Sequence, residues 1–265
     1  MDSSSTLSLI LICLSICCGI MVLVWLWAYK IKNAGVVDIF WSYNFPVIAL
    51  ILFFFADGYE PRKLVICTMV FVAGLRLGTH LFFRITHHLG EEEGRYQQLR
   101  KEWAPNSNKR FFWFFQFQAI SNVILAIPFF LIVVNEDDKL HILEYVGATI
   151  WTLSFLGESI ADWQLNRFKK DPKNKGLVCQ SGLWYYSRHP NYFFQWCLWL
   201  SYFVFALASP YGFIAIISPL IILHLLMNVT GIPPTEEQSV RSKGEKYILY
   251  QKTTSAFVPW FKKGS

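Results

Sequence analysis

Long stretches without a charged residue recur along the chain. Five segments contain no Asp, Glu, Lys or Arg, and a sixth contains only Arg76. Another is apolar through Gly157 except for Glu144. A helix of about 20 apolar residues crosses the hydrocarbon core of a bilayer. The pattern predicts seven transmembrane helices, at about 7–28, 39–56, 64–83, 111–134, 142–168, 192–208 and 211–229. Pro46, Pro128 and Pro219 fall inside these spans and are expected to kink them.

The distribution of Lys and Arg predicts the orientation of these spans. Loops one, three and five and the C-terminal tail carry two, six, six and six basic residues, whereas the opposite loops carry only Arg62, Lys63 and Lys139. Short loops rich in Lys and Arg stay on the cytoplasmic side of a membrane. We therefore expect the N-terminus outside and the C-terminus in the cytoplasm, which requires an odd number of spans.

Composition agrees with a polytopic, all-α membrane protein. Apolar residues make up 54% of the chain and charged residues only 16%, which excludes a secreted disulfide scaffold, a disordered protein and a nucleic-acid-binding domain despite the net charge of +6. The six cysteines show no spacing typical of metal ligands, so no metal is expected. Without repeats or linkers, residues 1–265 are predicted to form one domain. The charge pattern fits a bacterial inner membrane or the endoplasmic reticulum.

Polar residues inside the predicted spans are the first functional candidates, because ionisable groups at bilayer depth are costly unless they are paired or solvated. They repeat every three or four residues, so each set occupies one helix face. Each set lies in the half of its span predicted to face the cytoplasm, which implies a polar cleft opening there. The sets are Arg76, His80 and Arg84; Glu158, Asp162, Leu165 and Lys169; and Asn191, Gln195 and Trp199.

The loop before the sixth span adds a candidate phosphate site. Pro190 suits the first turn of a helix, where its missing N–H is no loss. The free N–H groups of that turn would then lie beside Arg188, His189 and Asn191, near a run of lysines. Helix N-termini with basic neighbours bind phosphate. For the individual lysines, retention of the loop at anionic lipid is an equally simple explanation.

A family resemblance follows from these residues. Its carriers are Gly157-Glu158-x-x-Ala161-Asp162-x-Gln164-Leu165-x-x-Phe168-Lys169, then Gly182-Leu183-Trp184 and Ser187-Arg188-His189-Pro190-Asn191-Tyr192. This pattern resembles the steroid 5α-reductase superfamily, and within it the uncharacterised membrane branch related to steroid reductases and isoprenylcysteine methyltransferases. The resemblance implies a seven-helix fold and NADPH-dependent reduction of the double bond of a conjugated enone in a hydrophobic substrate that enters from the lipid.

The resemblance also implies cofactor contacts. Together with Arg188 and His189 from the helix start, the expected NADPH-binding residues are Arg95, Glu158, Asp162, Lys169, Asn191, Gln195 and Trp199. Glu158 and Gln195 differ in residue type from the family pattern. Gln195 stands where steroid reductases have a carboxylate, and a neutral amide cannot make the same electrostatic contact.

The catalytic donor is where the chain departs from steroid reductases. Their Glu on span two and Tyr on span three are not matched, and Leu81 follows His80 where that Tyr would fall. Enone reduction still needs a hydrogen-bond donor at the carbonyl. Tyr43 and His80 are the expected substitutes, with Asp38 as a third residue that equally fits a helix cap.

Two alternatives stay open at this point. Methyltransferases that use S-adenosylmethionine, of the isoprenylcysteine and phospholipid type, share the Arg-His-Pro segment, and Glu236-Glu237, Gly244, Tyr247 and Tyr250 resemble their tail. The 158–169 stripe and its cationic surroundings favour the 2′-phosphate of NADPH. A non-enzymatic lipid-binding membrane protein is the second alternative. Nothing in the sequence selects among steroid, fatty acyl and isoprenoid enones.

Overall fold

The structure is a computed structural model that describes residues 3–87 and 89–262, with side chains from residue 6 onward. These residues form α-helices and no strand, which agrees with the predicted all-α class. The helices are α1 Ser3–Ile31, α2 Val36–Phe55, α3 Glu60–Thr86, α4 Gly94–Glu102, α5 Ser107–Leu125, α6 Ile127–Val133, α7 Ile142–Lys170, α8 Leu183–Tyr186, α9 Pro190–Ala206, α10 Ile217–His224, α11 Ile232–Lys243 and α12 Glu245–Thr253. Short 3₁₀ turns lie at Pro172–Asn174 and Gly212–Ile216, and a π-helical turn follows α10 at Leu225–Val229.

Four helices of the described chain are long and apolar enough to cross a membrane. They are Thr6–Ile31, Val36–Phe55, Glu60–Thr86 and the continuous stretch Gly212–Lys243. A fifth span exists if α5 and α6, which meet at an angle of 41°, cross together. These helices indicate an integral membrane protein. The predicted spans at 142–168 and 192–208 do form helices, but α7 carries three acidic residues and α9 has only 17 residues. The count of seven and the orientation of the termini stay predictions.

Prolines act differently at two of the expected kinks. Pro128 lies at the start of α6, where the chain breaks from α5, so the span predicted at 111–134 consists of two bent pieces. Pro46 lies inside α2, which continues through it. Gly74 of α3 packs against the ring of Pro46, and a Cβ at Gly74 would lie 2.4 Å from the ring carbon Cδ. Close packing of α3 thus supports α2 at its weakest point.

The chain divides into two compact units. The first comprises Met1–His141 and Ala208–Ile214, and the second comprises Ile142–Leu207 and Ala215–Ser265. In the first unit α2 packs on α1, α3 and α5, and α6 packs on α3. Val36, Ile39, Ile48 and Leu52 of α2 are completely or almost completely buried. This helix therefore forms the centre of the first unit.

Arg62 closes one end of the first unit. It was predicted to lie in an external loop, but it belongs to the first turn of α3, and its side chain is fully buried. Its guanidinium donates to the carbonyl oxygens of Asn135, at 3.0 Å, of Asp137, at 2.7 Å, and of Lys139. Buried cations are tolerated when their donors are satisfied in this way. The connection that leads to α7 is consequently pinned to α3.

The second unit is built around the antiparallel pair α7 and α9. Gly147 lies against Phe205 and Gly157 against Phe194, so residue numbers rise along one helix as they fall along the other. A Cβ at Gly147 would lie 2.9 Å from the backbone nitrogen of Phe205. Glycines let helices approach closely, as is common in membranes. This close register aligns the polar residues of the two helices.

Candidate functional site

Asp162 and Asn191 form the polar centre of the second unit. Asn191 is the second residue of α9, immediately after Pro190, and Asp162 projects from the cytoplasmic half of α7 as the sequence orients it. Asn191 Nδ2 donates to Asp162 Oδ1 at 3.1 Å. Only 9% of Asp162 is exposed. The two residues that the sequence assigned to the cofactor from separate helices are therefore in direct contact.

The amide of Asn191 has a defined orientation, with Nδ2 donating to Asp162. This leaves Oδ1 on the other side. That oxygen is buried and has no hydrogen-bond partner among the described residues. A buried acceptor without a donor costs about 1–3 kcal/mol. A ligand hydroxyl or amide N–H at this point would satisfy it.

Three other predicted residues lie on the same faces of α7 and α9. Glu158 is one turn before Asp162 on α7, and Gln195 and Trp199 follow Asn191 at intervals of four residues on α9. Glu158 and Trp199 are 6% and 5% exposed. The Trp199 ring packs edge-on against Tyr202, whose hydroxyl accepts a hydrogen bond from Trp151. The stripe predicted from sequence therefore occupies the packed α7–α9 seam.

A pair of lysines lies at the end of this seam. Lys169 is seven residues beyond Asp162 on α7, about 10 Å along the axis. Lys243, the last residue of α11, is partly buried over the ring of Tyr247 and lies within reach of the positive charge of Lys169. Sequence analysis missed Lys243, because no pattern along the chain connects it to α7.

Arg188 and His189 meet a partner inside the protein. Arg188 donates to Glu236 Oε1 at 2.6 Å and to the carbonyl oxygens of Gln251 and Thr254. His189 Nε2 lies 3.1 Å from the same carboxylate oxygen. Burial lowers the pKa of His189, while the Glu236 carboxylate partly offsets the effect. The neutral ring therefore carries its proton on Nε2 and donates it to Glu236.

The C-terminal segment holds this cluster in place. Ser187 pairs with Ser255 in an isolated bridge, and Arg188 N donates to Ser255 O. The hydroxyl of Tyr250 donates to the carbonyl oxygens of Trp184 and Ser187. Burial raises the pKa of Tyr250, so it stays a neutral donor. The tail thus fixes the loop before α9, and with it the position of Asn191.

In the first unit, Tyr43 of α2 packs against α3, the helix that also carries His80. The hydroxyl of Tyr43 and Thr79 Oγ1 are 3.3 Å apart, and either can donate. A Cβ at Gly78 would lie 2.4 Å from the Tyr43 ring, so the ring is held against α3. His80 follows Thr79 and is partly exposed. Tyr43 and His80 thus belong to two adjoining helices of the first unit, and Thr79 and Gly78 are the residues of α3 that contact Tyr43.

Arg95 lies at the start of α4, where its guanidinium carbon is 5.5 Å from the centroid of the Tyr96 ring. Tyr96 is fully buried and donates to Asp38 Oδ1 at 2.8 Å. Burial raises the pKa of Tyr96 well above its usual value. Asp38, which the sequence offered as a helix cap or an acid, is therefore a partner of Tyr96. Arg95 and Arg76 belong to the first unit and the Asp162 stripe to the second, so their common cleft stays a prediction.

Comparison with known proteins assigns the chain to a family. Residues 24–254 match the family described as protein of unknown function DUF1295. The chain belongs to this family. DUF1295 is part of the steroid 5α-reductase-like superfamily, so the resemblance of the 157–192 motifs is confirmed at that level. The match does not extend to steroid reductases in particular.

The DUF1295 chain also has a curated relative. An uncharacterised protein of Schizosaccharomyces pombe is 24% identical over 211 residues, covering 69% of this chain and 61% of the relative. The chain thus spans less than two thirds of the length of that relative. No solved structure matches the chain.

Proposed function

We propose that this protein is a membrane-embedded reductase that uses NADPH to reduce the double bond of a conjugated enone in a hydrophobic substrate. The observation that carries the proposal is Asn191 Oδ1, a buried acceptor left open beside Asp162. A nucleotide cofactor offers ribose hydroxyls and a carboxamide N–H to such an acceptor. Asp162 then fixes the Asn191 amide, and Glu158, Gln195 and Trp199 line the seam beyond it.

The lysine pair supports NADPH over S-adenosylmethionine. NADPH carries a diphosphate and a 2′-phosphate, whereas S-adenosylmethionine has no phosphate. Lys169 and Lys243 lie within range of each other's charge, and two neighbouring cations suit a phosphate. Glu236, the residue that resembles the methyltransferase tail, already accepts hydrogen bonds from Arg188, His189 and Gln251. Its contacts within the protein support a structural role.

The chemistry requires a hydride and a polarised carbonyl. When bound, NADPH supplies the hydride to the β-carbon of the enone. In the first unit, Tyr43 is the proposed donor to the carbonyl oxygen: when Thr79 donates to Tyr43, the phenol proton is available to a substrate. His80, the residue after Thr79 in α3, is the second proposed acid.

Cofactor binding tests the assignment directly. We expect the detergent-purified protein to bind NADPH more tightly than NADH, measured by energy transfer from its 11 tryptophans, because only NADPH offers the 2′-phosphate. Lys169→Gln and Lys243→Gln should each remove most of that preference. Lys170→Gln is the matched control, since Lys170 is an exposed neighbour outside the Asp162 face. Calorimetric binding of S-adenosylmethionine without any NADPH signal would overturn the proposal in favour of a methyltransferase.

Turnover tests the two proposed acids. Tyr43→Phe and His80→Ala should leave NADPH affinity unchanged and lower kcat on an enone substrate, by about 10²-fold or more for the true donor. Thr79→Val, which removes the hydroxyl beside Tyr43, should have a smaller effect. Undiminished turnover in both Tyr43→Phe and His80→Ala would remove these residues as acids.

A further inference from the structure

One face of α7 in the second unit is apolar and exposed over most of the helix. Its residues recur at intervals of three or four, or of seven, so they share one side of the helix, and Glu158 and Asp162 lie on the opposite side. At about 1.5 Å per residue this face is about 30 Å long, which matches the hydrocarbon core of a bilayer. Its exposed members include Ile142, Tyr145, Leu153, Leu156, Ile160 and Trp163.

The apolar face of α7 ends in an aromatic and a basic residue. Trp163 is exposed, and the guanidinium carbon of Arg167, one turn further on, lies 5.4 Å from the centroid of its ring. Tryptophan at the end of an apolar helix face, followed by a basic residue, is typical of the boundary between hydrocarbon and headgroups. Trp163 therefore marks the expected level of that boundary on α7.

Helix α8 lies at the same level as Trp163. The indole Nε1 of Trp184 donates to the carbonyl oxygen of Ala161 at 2.9 Å. The backbone nitrogen of Leu183 donates to Gln164 Oε1, also at 2.9 Å. These two hydrogen bonds hold α8 beside the part of α7 where the apolar face ends.

Four exposed aromatic residues gather at α8, and we call them the tail patch: Tyr185, Tyr186, Trp260 and Phe261. The C-terminal segment reaches α8 where Trp260 N donates to Tyr186 O at 2.9 Å. The ring centroids of Tyr186 and Phe261 are 6.1 Å apart, and those of Trp260 and Phe261 are 6.2 Å apart. Trp260 and Phe261 are 67% and 73% exposed. Contiguous exposed aromatic side chains of this kind mark an interaction surface.

The surroundings of the tail patch are basic. Lys262 Nζ lies 4.5 Å from the centroid of the Tyr185 ring and donates to Gln180 Oε1 at 2.8 Å. The two segments that contain the patch, residues 172–190 and 253–262, include no Asp or Glu. The patch therefore suits a partner that combines negative charge with an apolar layer.

We propose that the tail patch lies in the headgroup layer of the bilayer and that Lys262 binds the phosphate of an anionic phospholipid there. The level of α8 on α7 favours a bilayer over a soluble protein, because the patch lies where the apolar face ends. Tyr and Trp are enriched at this depth, where their rings meet hydrocarbon and their polar groups meet water. The sequence predicts a cytoplasmic tail, and the cytoplasmic leaflet is the anionic one. The contact requires neither NADPH nor turnover, so its test is independent of the proposed function.

Two photoreactive lipids test the proposal. Phosphatidylglycerol and phosphatidylcholine, each with a diazirine near the top of one acyl chain, would be added separately to otherwise identical liposomes that carry the full-length protein. After irradiation, mass spectrometry would map the labelled peptides. We expect phosphatidylglycerol to label the tail patch about fivefold more than phosphatidylcholine, which is the effect of one basic residue near an anionic membrane surface.

Variants separate the charge from the aromatic contact. Lys262→Gln should remove most of the preference for phosphatidylglycerol. Lys139→Gln is the matched control, because it removes the same charge from an exposed lysine of the first unit and should behave like the wild type. Trp260→Ser combined with Phe261→Ser should reduce labelling of α8 and the tail by both lipids. Equal labelling by the two lipids, or a preference that survives Lys262→Gln, would overturn the proposal. A tail patch that neither lipid labels would lie outside the bilayer and would overturn it in favour of a protein partner.

Discussion

At the scale of single residues, sequence reasoning detects charge and overlooks amides. Arg76, Glu158 and Asp162 stand out because a charge interrupts an apolar run. Asn44 and Asn122 do not stand out, because an asparagine changes a hydropathy profile no more than many other uncharged polar residues do. Their meaning comes only from the contact between α2 and α5, where Asn44 Nδ2 donates to Asn122 Oδ1. Residue-level prediction therefore selected Asp162 and Asn191 as candidates without predicting their contact, and it had no signal for the amide pair.

Arg62 illustrates a second limit at this scale. The sequence analysis counts it as one of three basic residues in external loops. A positive charge on the external side opposes the predicted orientation. In the structure its guanidinium donates hydrogen bonds to the carbonyl oxygens of Asn135, Asp137 and Lys139. A positive residue that is buried in this way has a structural reason for its position.

We predict that Arg62→Met lowers the stability of the protein by about 3 kcal/mol or more, because it leaves buried carbonyl oxygens without a donor. Thermal unfolding in detergent, followed by the fluorescence of the tryptophans, measures the loss. Arg84→Met is the control: Arg84 is exposed and pairs only with the exposed Glu93 in the contacts described, so its removal should cost less than about 1 kcal/mol. Equal losses in both variants would contradict the role given to Arg62.

At the scale of elements, hydrophobic length predicted where helices occur better than how they end. The segments at 7–28 and 64–83 lie within α1 and α3, and the segment at 39–56 lies within α2 except for its last residue. The segment at 111–134 is divided near Pro128. The short helices α4, α8 and α12 were not predicted. They carry too few apolar residues for a periodic signal, and packing and tail contacts define them.

The α7–α9 pair depends on an element-level feature that a hydropathy profile cannot contain, namely which glycines face the partner helix. We predict that Gly147→Ala lowers stability by about 1–3 kcal/mol, because its Cβ would meet the Phe205 backbone and force the helices apart. Gly19→Ala is the matched control, since no atom lies within 4 Å of the added Cβ there. That variant should be neutral or slightly stabilising. Thermal unfolding of the two variants in one detergent makes the comparison.

The same variant also reports on the site, because Asp162 and Asn191 meet only in the correct α7–α9 register. Gly147→Ala should therefore weaken NADPH binding even at temperatures where the protein stays folded. Normal binding by a destabilised Gly147→Ala variant would show that the site tolerates a shift between these helices.

At the scale of the whole molecule, the open question is whether α7 and α9 cross the membrane. Basic residues alternate between the two sides only if both do, and an odd number of spans follows. Length and hydropathy alone support four crossings, or five with the bent α5–α6 pair. The acidic residues of α7 explain the difference: Glu144 and Glu158 are buried at 1% and 6% exposure, so they lower the hydropathy of a helix that need not expose them to lipid.

Three single cysteines distinguish these topologies. Asp138→Cys lies before α7, Lys175→Cys between α7 and α9, and Tyr211→Cys after α9, and all three positions are exposed. With seven spans and the N-terminus outside, a membrane-impermeant maleimide should label the first and third in intact cells, and the second only after permeabilisation. The native cysteines contribute little background, because four are buried and Cys18 and Cys197 lie within apolar helices. If α7 and α9 do not cross the membrane, all three positions would label from the same side. The prediction that Asp162, Lys169 and the proposed NADPH site face the cytoplasm would then be wrong.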